Sequence, residues 1–411
     1  MTPRVGELRM GEPMIDPIEH WDIHPQHSWL RGVQPEQPVV FDEEVGMWHV
    51  YGYAEALAII NDPATYSSGV ASRFAPKEQT DIAFDGNLSQ ADPPEHKHLR
   101  KLVSRTFTHK MVANMESRIH DLTNELLDEV SGDRFDLVEV LAYPLPVIVI
   151  CDLLGLPLSD MELLKGWGDQ NLEARGQLTV RGGGDEYERR LDYQAESALE
   201  MGFYLLEHVG DRRTTPRDDL LTKLVEADVD GQRLTDRQIV NFANLLLFAG
   251  HITTTMLLGN TILCLDTFAE ADERVRKDRS LVPTLVEESL RYLTPLAANY
   301  RTTTRDVELG GKRIREGEVL MVWLSAANRD PSAFDDPHAF DVARDPNPHL
   351  GFGRGIHFCL GAPLARLEGR VALNILFDRF PELRTDPEKP PTFLTPPDFT
   401  GVWSLPLQAS R

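Results

Sequence analysis

Apolar residues recur at helical spacing from Met111 to Val130, at Met111, Met115, Ile119, Leu122, Leu126 and Val130. That spacing predicts one amphipathic helix ending at Ser131-Gly132. Earlier, Val39-Val40-Phe41 and Trp48 to Tyr51 flank a turn near Val45-Gly46 and predict a hairpin over Pro38 to Tyr51. A short helix follows and stops before Pro63. From Ser67 to Gln90 the pattern fails, which predicts a long loop of the kind that often serves as a lid. Another helix runs through Cys151 to Gly155 and Pro157. The polar region from Gly166 to Ser197, with Gly182-Gly183-Gly184, reads as a mobile connection between two helices. Thr235-Asp236-Arg237-Gln238 fits a capping box and opens a helix to about Asp266, on the order of 45 Å long. Leu281 to Tyr292 is another helix. Tyr300 to Leu324, punctuated by Gly310-Gly311 and Glu316-Gly317, predicts a small antiparallel sheet. Ala362 to Phe380 predicts a last helix. The chain is mainly α with minor sheet.

The 411 residues suffice for two or three domains by size, yet no Ser/Gly run, proline tract or charge block marks a linker. One domain over residues 1–411 is expected, with a loose, polar segment over 1–15 and no signal-peptide core there. The stretch from Ile239 to Leu265 has no Asp, Glu, Lys or Arg and is long enough to span a bilayer. It also carries asparagines, threonines and His251, which are costly in lipid. A buried helix through the centre of a domain is expected instead, with no membrane as partner. Net charge is −23, from 42 basic and 65 acidic residues, which argues against nucleic acid as a partner. Three cysteines, Cys151, Cys264 and Cys359, make no disulfide framework and suit a reducing cytoplasm. Cys151 and Cys264 lie in apolar runs and read as core.

Cys359 is different. It sits in Phe352-Gly353-Arg354-Gly355-Ile356-His357-Phe358-Cys359-Leu360-Gly361. Glycines allow positive φ and close approach to a flat object. A thiolate is a strong axial ligand for haem iron. The helix that begins just after it adds a dipole and N–H donors, which predict a lowered thiol pKa. Three other patterns accompany the loop. Glu288-Ser289-Leu290-Arg291 puts an acid and a base on one helix face. Ala249-Gly250-His251-Ile252-Thr253-Thr254 lies in the uncharged helix, where Gly250 omits a side chain and Thr253 can bond a carbonyl one turn back. Asp92-Pro93-Pro94-Glu95-His96-Lys97-His98-Leu99-Arg100 starts a helix with His96 and Arg100 on one face, suited to an anionic group.

In this order, the four patterns strongly resemble the cytochrome P450 family, the haem-thiolate monooxygenases, of the soluble bacterial type. The resemblance runs from about Trp48 to Leu407. The cysteine loop matches Phe-Gly-x-Gly-x-x-x-Cys-x-Gly at every fixed position. The fold implied is the family's triangular α-helical prism with small antiparallel sheets. The cofactor implied is haem b, with Cys359 as the iron ligand and Phe352 shielding the thiolate. Glu288 and Arg291 would form a buried structural pair. His96, Arg100, Arg301 and His357 would hold the propionates, with His349 a weaker candidate. Ala249, Gly250 and Thr253 would line the oxygen site. Electrons would come from NAD(P)H through a ferredoxin or flavodoxin with its reductase, and a basic patch of Arg100, Lys101, Arg105 and Lys110 would face that partner. A cytoplasmic monomer is expected.

One position departs from the family. The residue before the threonine is usually acidic, and here it is Ile252, which cannot relay a proton. Thr253, ordered water, His251 or the substrate must then serve. Phe242, Leu245, Leu296, Phe393 and Leu394 are expected in an apolar substrate pocket. The closest analogy is with members that tailor macrolides and other polyketides by hydroxylation or epoxidation. Two further readings stay open on the sequence. One is a haem-thiolate enzyme that does not hydroxylate: peroxide-driven, aryl-coupling, desaturating or oxidising fatty acids. The other is a non-catalytic haem-binding module.

Overall fold

The uncharged stretch forms the longest helix of the fold. Its cap is reciprocal: the Gln238 N–H donates to the Thr235 hydroxyl (3.2 Å), and the Thr235 N–H donates to the Gln238 side chain (3.1 Å). The structure, a computed structural model, describes residues 21, 23–75, 80, 83–173, 178–181, 184–229 and 231–410. Its principal helices are α1 (Tyr53–Asn61), α2 (Glu95–Thr106), α3 (Glu116–Asp128), α4 (Pro144–Leu154), α5 (Met161–Glu173), α6 (Gly184–Thr214), α7 (Asp236–Thr267), α8 (Val282–Tyr292) and α9 (Ala362–Arg379). By length and composition alone, α7 could cross a membrane, but the greater part of its apolar window is buried inside the protein. It packs against α4, α6, α8 and α9. One apolar core joins Leu99 of α2, Leu122 of α3, Val149 of α4, Leu257 of α7, Leu285 of α8 and Leu373 of α9. Each such buried aliphatic side chain contributes about 1.5–3 kcal/mol.

Five strands make the main sheet: β1 (Val39–Asp42), β2 (Met47–Val50), β3 (Tyr66–Ser67), β4 (Ala298–Thr303) and β5 (Val319–Trp323), in the order β1-β2-β5-β4-β3. The N-terminal hairpin forms as expected, with Val40 opposite His49. Across the region from Tyr300 to Leu324 the antiparallel pairing forms as expected, with Tyr300, Arg301 and Thr302 of β4 opposite Met321, Leu320 and Val319 of β5. Val307–Leu309 and Lys312–Ile314 make a separate hairpin, while β5 lies parallel to β2 and antiparallel to β4. All five residues of β5 are buried. A strand covered on both faces needs partners on both edges, so it recruits the distant hairpin.

Two further expectations change. The helix predicted from Met111 to Val130 is two helices, His109–Asn114 and α3, which share Met115 as their joint. Thr108 caps the first, and Asn114, a poor interior residue, precedes the break. The polar region from Gly166 to Ser197 is mostly helix, because α5 reaches Glu173 and α6 begins at Gly184. A mostly solvent-facing helix needs only a thin apolar stripe, so polarity misread it as a connection. Gly182 and Gly183 lie outside the described residues, as does the segment 1–15.

Candidate functional site

The cysteine loop is built by its glycines. Gly353 and Gly355 both take φ of +66°, and a Cβ on Gly355 would approach the Ile60 carbonyl of α1 at 3.0 Å. Only glycine fits there without strain. The Cys359 N–H donates to the Phe352 carbonyl at 2.9 Å, which folds the loop back beneath the thiol. Phe352 itself packs on the core, with the Arg366 guanidinium 4.5 Å over its ring.

Cys359 keeps accessible surface, yet it lies deep within the surrounding protein. Burial is the largest influence on its thiol and pushes the pKa up. The Gly361 and Ala362 N–H groups and the Arg100 and Arg366 guanidinia pull the other way without prevailing. The lowered pKa expected from the helix start is therefore not a property of the protein alone. A coordinated metal ion would deprotonate such a thiol outright.

Four cationic or imidazole groups converge beside it. Arg100, one turn after His96 on α2, donates to the Phe358 carbonyl at 2.8 Å. His96 and His357 have ring centroids 4.4 Å apart. Arg301, buried on β4, bonds the Tyr300 carbonyl at 2.7 Å. Burial lowers the Arg301 pKa to about 10. His357 is pushed down to about 3, first by burial and then by Arg301, His96 and Arg100. The Nε2 atom of His96 is buried with no hydrogen-bond partner. One thiol, two guanidinia and two imidazoles, one of them with an unused buried nitrogen, fit a planar dicarboxylate cofactor such as haem. His349 does not join them. Its Nε2 meets Glu287 at 3.0 Å and its Nδ1 accepts from the Gly351 N–H at 3.1 Å, so both nitrogens are committed. Burial would raise Glu287, but Arg366 and His349 outweigh it and hold the carboxyl down at about 2.

Ser68 was not legible as a site residue. It is buried, and its hydroxyl lies 2.9 Å from His357 Nε2. Asp92 accepts from the Ser67 hydroxyl and the Ser68 N–H, and its charge faces Arg301. Nothing in the Ser67-Ser68 pattern signals this, since Ser68 and His357 lie 289 positions apart in the chain.

On α7, the Thr253 hydroxyl donates to the Ala249 carbonyl at 2.8 Å, and Ala249 is exposed. Gly250 does not face the same space. A Cβ there would meet Ile150 of α4 at 2.8 Å, so the missing side chain serves helix packing. His251 also turns away, bonding the Leu247 carbonyl through Nδ1 and meeting Tyr143 edge-on at 5.6 Å. Two residues along a helix are about 200° apart, which puts His251 on the flank opposite Thr253. Burial lowers its pKa to about 4, so it stays neutral. Ile252 packs with Leu172, Met256 and Phe399, against which Phe248, Leu296 and Leu394 also lie. Leu245 is half-buried, and Phe393 stacks on Trp21. Phe242 is 2% exposed and belongs to the main core, so it leaves the pocket set.

Glu288 and Arg291 are both fully buried and form a bidentate pair, with two bonds of 2.8 Å. Arg291 also donates to the carbonyls of Asn328, Pro337 and Ala339. Glu288 accepts from the Asp341 N–H, Arg344 and Asn347. The pair thus pins the segment that leads into the cysteine loop, and the sequence pattern had disclosed only its two ends.

The family model for cytochrome P450 matches residues 201–408. Over 357 residues the chain is 44% identical to the cyclomarin C epoxidase CymV of Salinispora arenicola, covering 86% of this chain and 88% of that protein. It is 40% identical to the erythromycin C-12 hydroxylase of Saccharopolyspora erythraea, covering 87% and 88%. Among solved structures, HmtN, a post-tailoring hydroxylase of himastatin biosynthesis, is 53% identical with a TM-score of 0.85, covering 97% of this chain and 100% of that one.

Proposed function

The chain belongs to the cytochrome P450 family of haem-thiolate monooxygenases, and from that membership we propose that this single-domain enzyme hydroxylates or epoxidises a large, mainly apolar secondary metabolite, a macrolide or a peptide. Haem, when bound, supplies the activation of O2 with electrons from an external donor. The observation that carries the site assignment is the convergence of Cys359 with His96, Arg100, Arg301 and His357. Cys359 would ligate the iron and the other four would hold the propionates, with Phe352 shielding the thiolate. Ala249 and Thr253 are assigned to the oxygen side. The Thr253 hydroxyl, held by the Ala249 carbonyl, is the last proton donor on the chain.

Leu245, Phe248, Ile252, Leu296 and Leu394 supply hydrocarbon walls, which select bulk and apolarity over any single polar group. Lys101, Arg105 and Lys110 are exposed on and just after α2, the helix that also brings Arg100 to the thiol loop. In a chain of net charge −23, that local basic face suits an acidic ferredoxin or flavodoxin in the cytoplasm.

The test is a spectral titration of the purified ferric protein with a macrolactone, a cyclic peptide, a terpene, a fatty acid and a flat aromatic polyketide. A saturable low-to-high-spin shift of the Soret band with the macrolactone or the cyclic peptide is expected. A shift with the fatty acid alone would replace the tailoring assignment with lipid oxidation.

A further inference from the structure

Ahead of β1, the chain carries side chains that reach the far end of the sequence. His27, Trp29 and Leu30 are all buried, and His27 is fully enclosed. The His27 ring stacks on Trp29 at 5.3 Å and meets Trp323 of β5 edge-on at 5.5 Å. Its backbone is tied as well. The His27 N–H donates to the His24 carbonyl, and the His27 carbonyl accepts from the Leu30 N–H, both at 3.0 Å. The ring is thus fixed by its own surroundings.

Both ring nitrogens are spent on one distant turn. His27 Nε2 lies 2.7 Å from the Pro397 carbonyl, 370 positions away. A carbonyl can only accept, so Nε2 carries the proton. That leaves Nδ1 as an acceptor, and the Thr400 hydroxyl donates to it at 3.1 Å. Burial lowers the His27 pKa to about 4 against the pull of the Pro397 carbonyl, so the ring stays neutral and keeps both roles. Between the two contacts the turn carries Asp398 and Phe399. Its backbone is tied by the Phe399 N–H to the Pro396 carbonyl (3.2 Å), the Ala297 N–H to the Asp398 carbonyl (2.8 Å) and the Thr400 N–H to the Pro295 carbonyl (2.9 Å). Asn260 of α7 donates to the Thr400 carbonyl at 3.0 Å. Phe399 packs with Ile252 and Met256 of α7 and Leu172 of α5, and it pairs with Leu296. Trp21 adds a second contact from the same side of the sequence, stacking at 6.1 Å on Phe393, the neighbour of Leu394.

We propose that His27 braces the substrate pocket from outside, as a positioning residue that sets discrimination among large substrates by fixing the turn that carries Phe399 against Leu296 and Ile252. The inference rests on the pocket assignment above. Without the ring, the turn keeps its backbone bonds and the Asn260 tie, so it stays in the fold. It loses the two side-chain contacts that bracket Phe399. An aromatic wall free to shift no longer presents one shape to a bulky ligand, so affinity falls for ligands that press on it. His27 is enclosed and touches no substrate, so it acts through the turn alone.

The test uses the holoenzyme and three variants. His27→Phe keeps a ring between Trp29 and Trp323 and removes both hydrogen bonds. His27→Gln keeps an N–H for the Pro397 carbonyl. Thr400→Val removes only the hydroxyl that donates to Nδ1, and it decides the matter if His27→Phe folds poorly. The ligands are the macrolactone, the cyclic peptide and imidazole, which binds haem iron directly and needs little of the pocket. For whichever large ligand shifts the wild-type Soret band, His27→Phe should raise Kd at least about fivefold, the order of one lost hydrogen bond. The Kd for imidazole, the haem content and the thiolate-type carbonyl spectrum should stay near wild type, which a general loss of structure would not allow. His27→Gln should recover Kd to within about twofold, and Thr400→Val should fall between the other two. Hydrogen exchange read by mass spectrometry gives the same answer without a ligand. Peptides over 393–404 should exchange faster in His27→Phe, and those over α8 and the cysteine loop should not change. Wild-type Kd and wild-type exchange in His27→Phe would overturn the brace. Equal weakening of imidazole and the large ligand, or loss of haem, would overturn it too and leave His27 a core residue. If neither large ligand shifts the wild type, the pocket assignment falls and the discrimination role with it, even where exchange over 393–404 responds.

Discussion

Single side chains in this protein divide sharply between those that face the site and those that hold the core, and sequence position separates them poorly. Phe242 and Leu245 are three residues apart on α7, yet the first is enclosed by core and the second is only half-buried at its edge. Phe242→Ala should cost about 3–5 kcal/mol in denaturant unfolding. Leu245→Ala should instead weaken the spin-shift titration, with a far smaller loss of stability. Glu368 on α9 shows the cost of a lone buried acid. It is 1% exposed, its Oε2 has no hydrogen-bond partner, and burial raises its pKa to about 8. Between the unfolded value of 4.5 and about 8, the unfolded chain releases a proton that the folded chain retains, so stability falls as pH rises through that window. Glu368→Gln removes the penalty. Its melting temperature should match wild type near the lower limit and exceed it by several degrees at pH 8, as read by circular dichroism.

At the level of elements, α7 is both the structural axis and one wall of the site, and its faces serve different neighbours. The Gly250 turn lets α4 approach closely, because a Cβ would strike the end of the Ile150 side chain. Gly250→Ala should therefore cost about 1–3 kcal/mol by overpacking. Ile150→Val, which shortens the obstructing group, should recover part of that loss in the double variant. If Gly250 served the oxygen site instead, the double variant would regain stability at no gain over the cost of the valine alone, and the damage would appear in coupling. The three threonines that follow each bond a carbonyl one turn back on the same helix, where a cavity of about 360 Å³ meets it at Ile252 and Thr255.

For the molecule as a whole, the thiol loop is held from below by a buried charge network. Glu288 and Arg291 satisfy each other and a ring of backbone groups from Asn328 to Asp341. Glu288→Gln leaves Arg291 buried without its counter-charge and should cost about 3–5 kcal/mol. Haem content on purification should fall with it, since the segment that leads to Cys359 loses its anchor. A variant with normal haem content and unchanged unfolding would show that the network is dispensable. The main sheet adds a second long-range tie, because β5 joins the N-terminal hairpin to β4 and so places Arg301 beside α2 and the thiol loop.

Local pattern determined much of this protein. The capping box at Thr235, the glycines around Cys359, the paired Glu288 and Arg291 and the periodicity of the helices are all short-range signals, fixed by backbone sterics and by which faces are apolar. They sufficed to point to a mainly helical fold and a thiolate site. What tertiary structure alone decided is direction and company. A helical residue is turned by about 100° per position, and only the packed neighbours decide which turn faces the cofactor side. So Gly250 and Phe242 went to packing, His349 went to Glu287, and Ser68 came to His357 from across the chain. The partners of β5 and the cavity beside Ile252 likewise depend on contacts far apart in sequence, which no local period encodes.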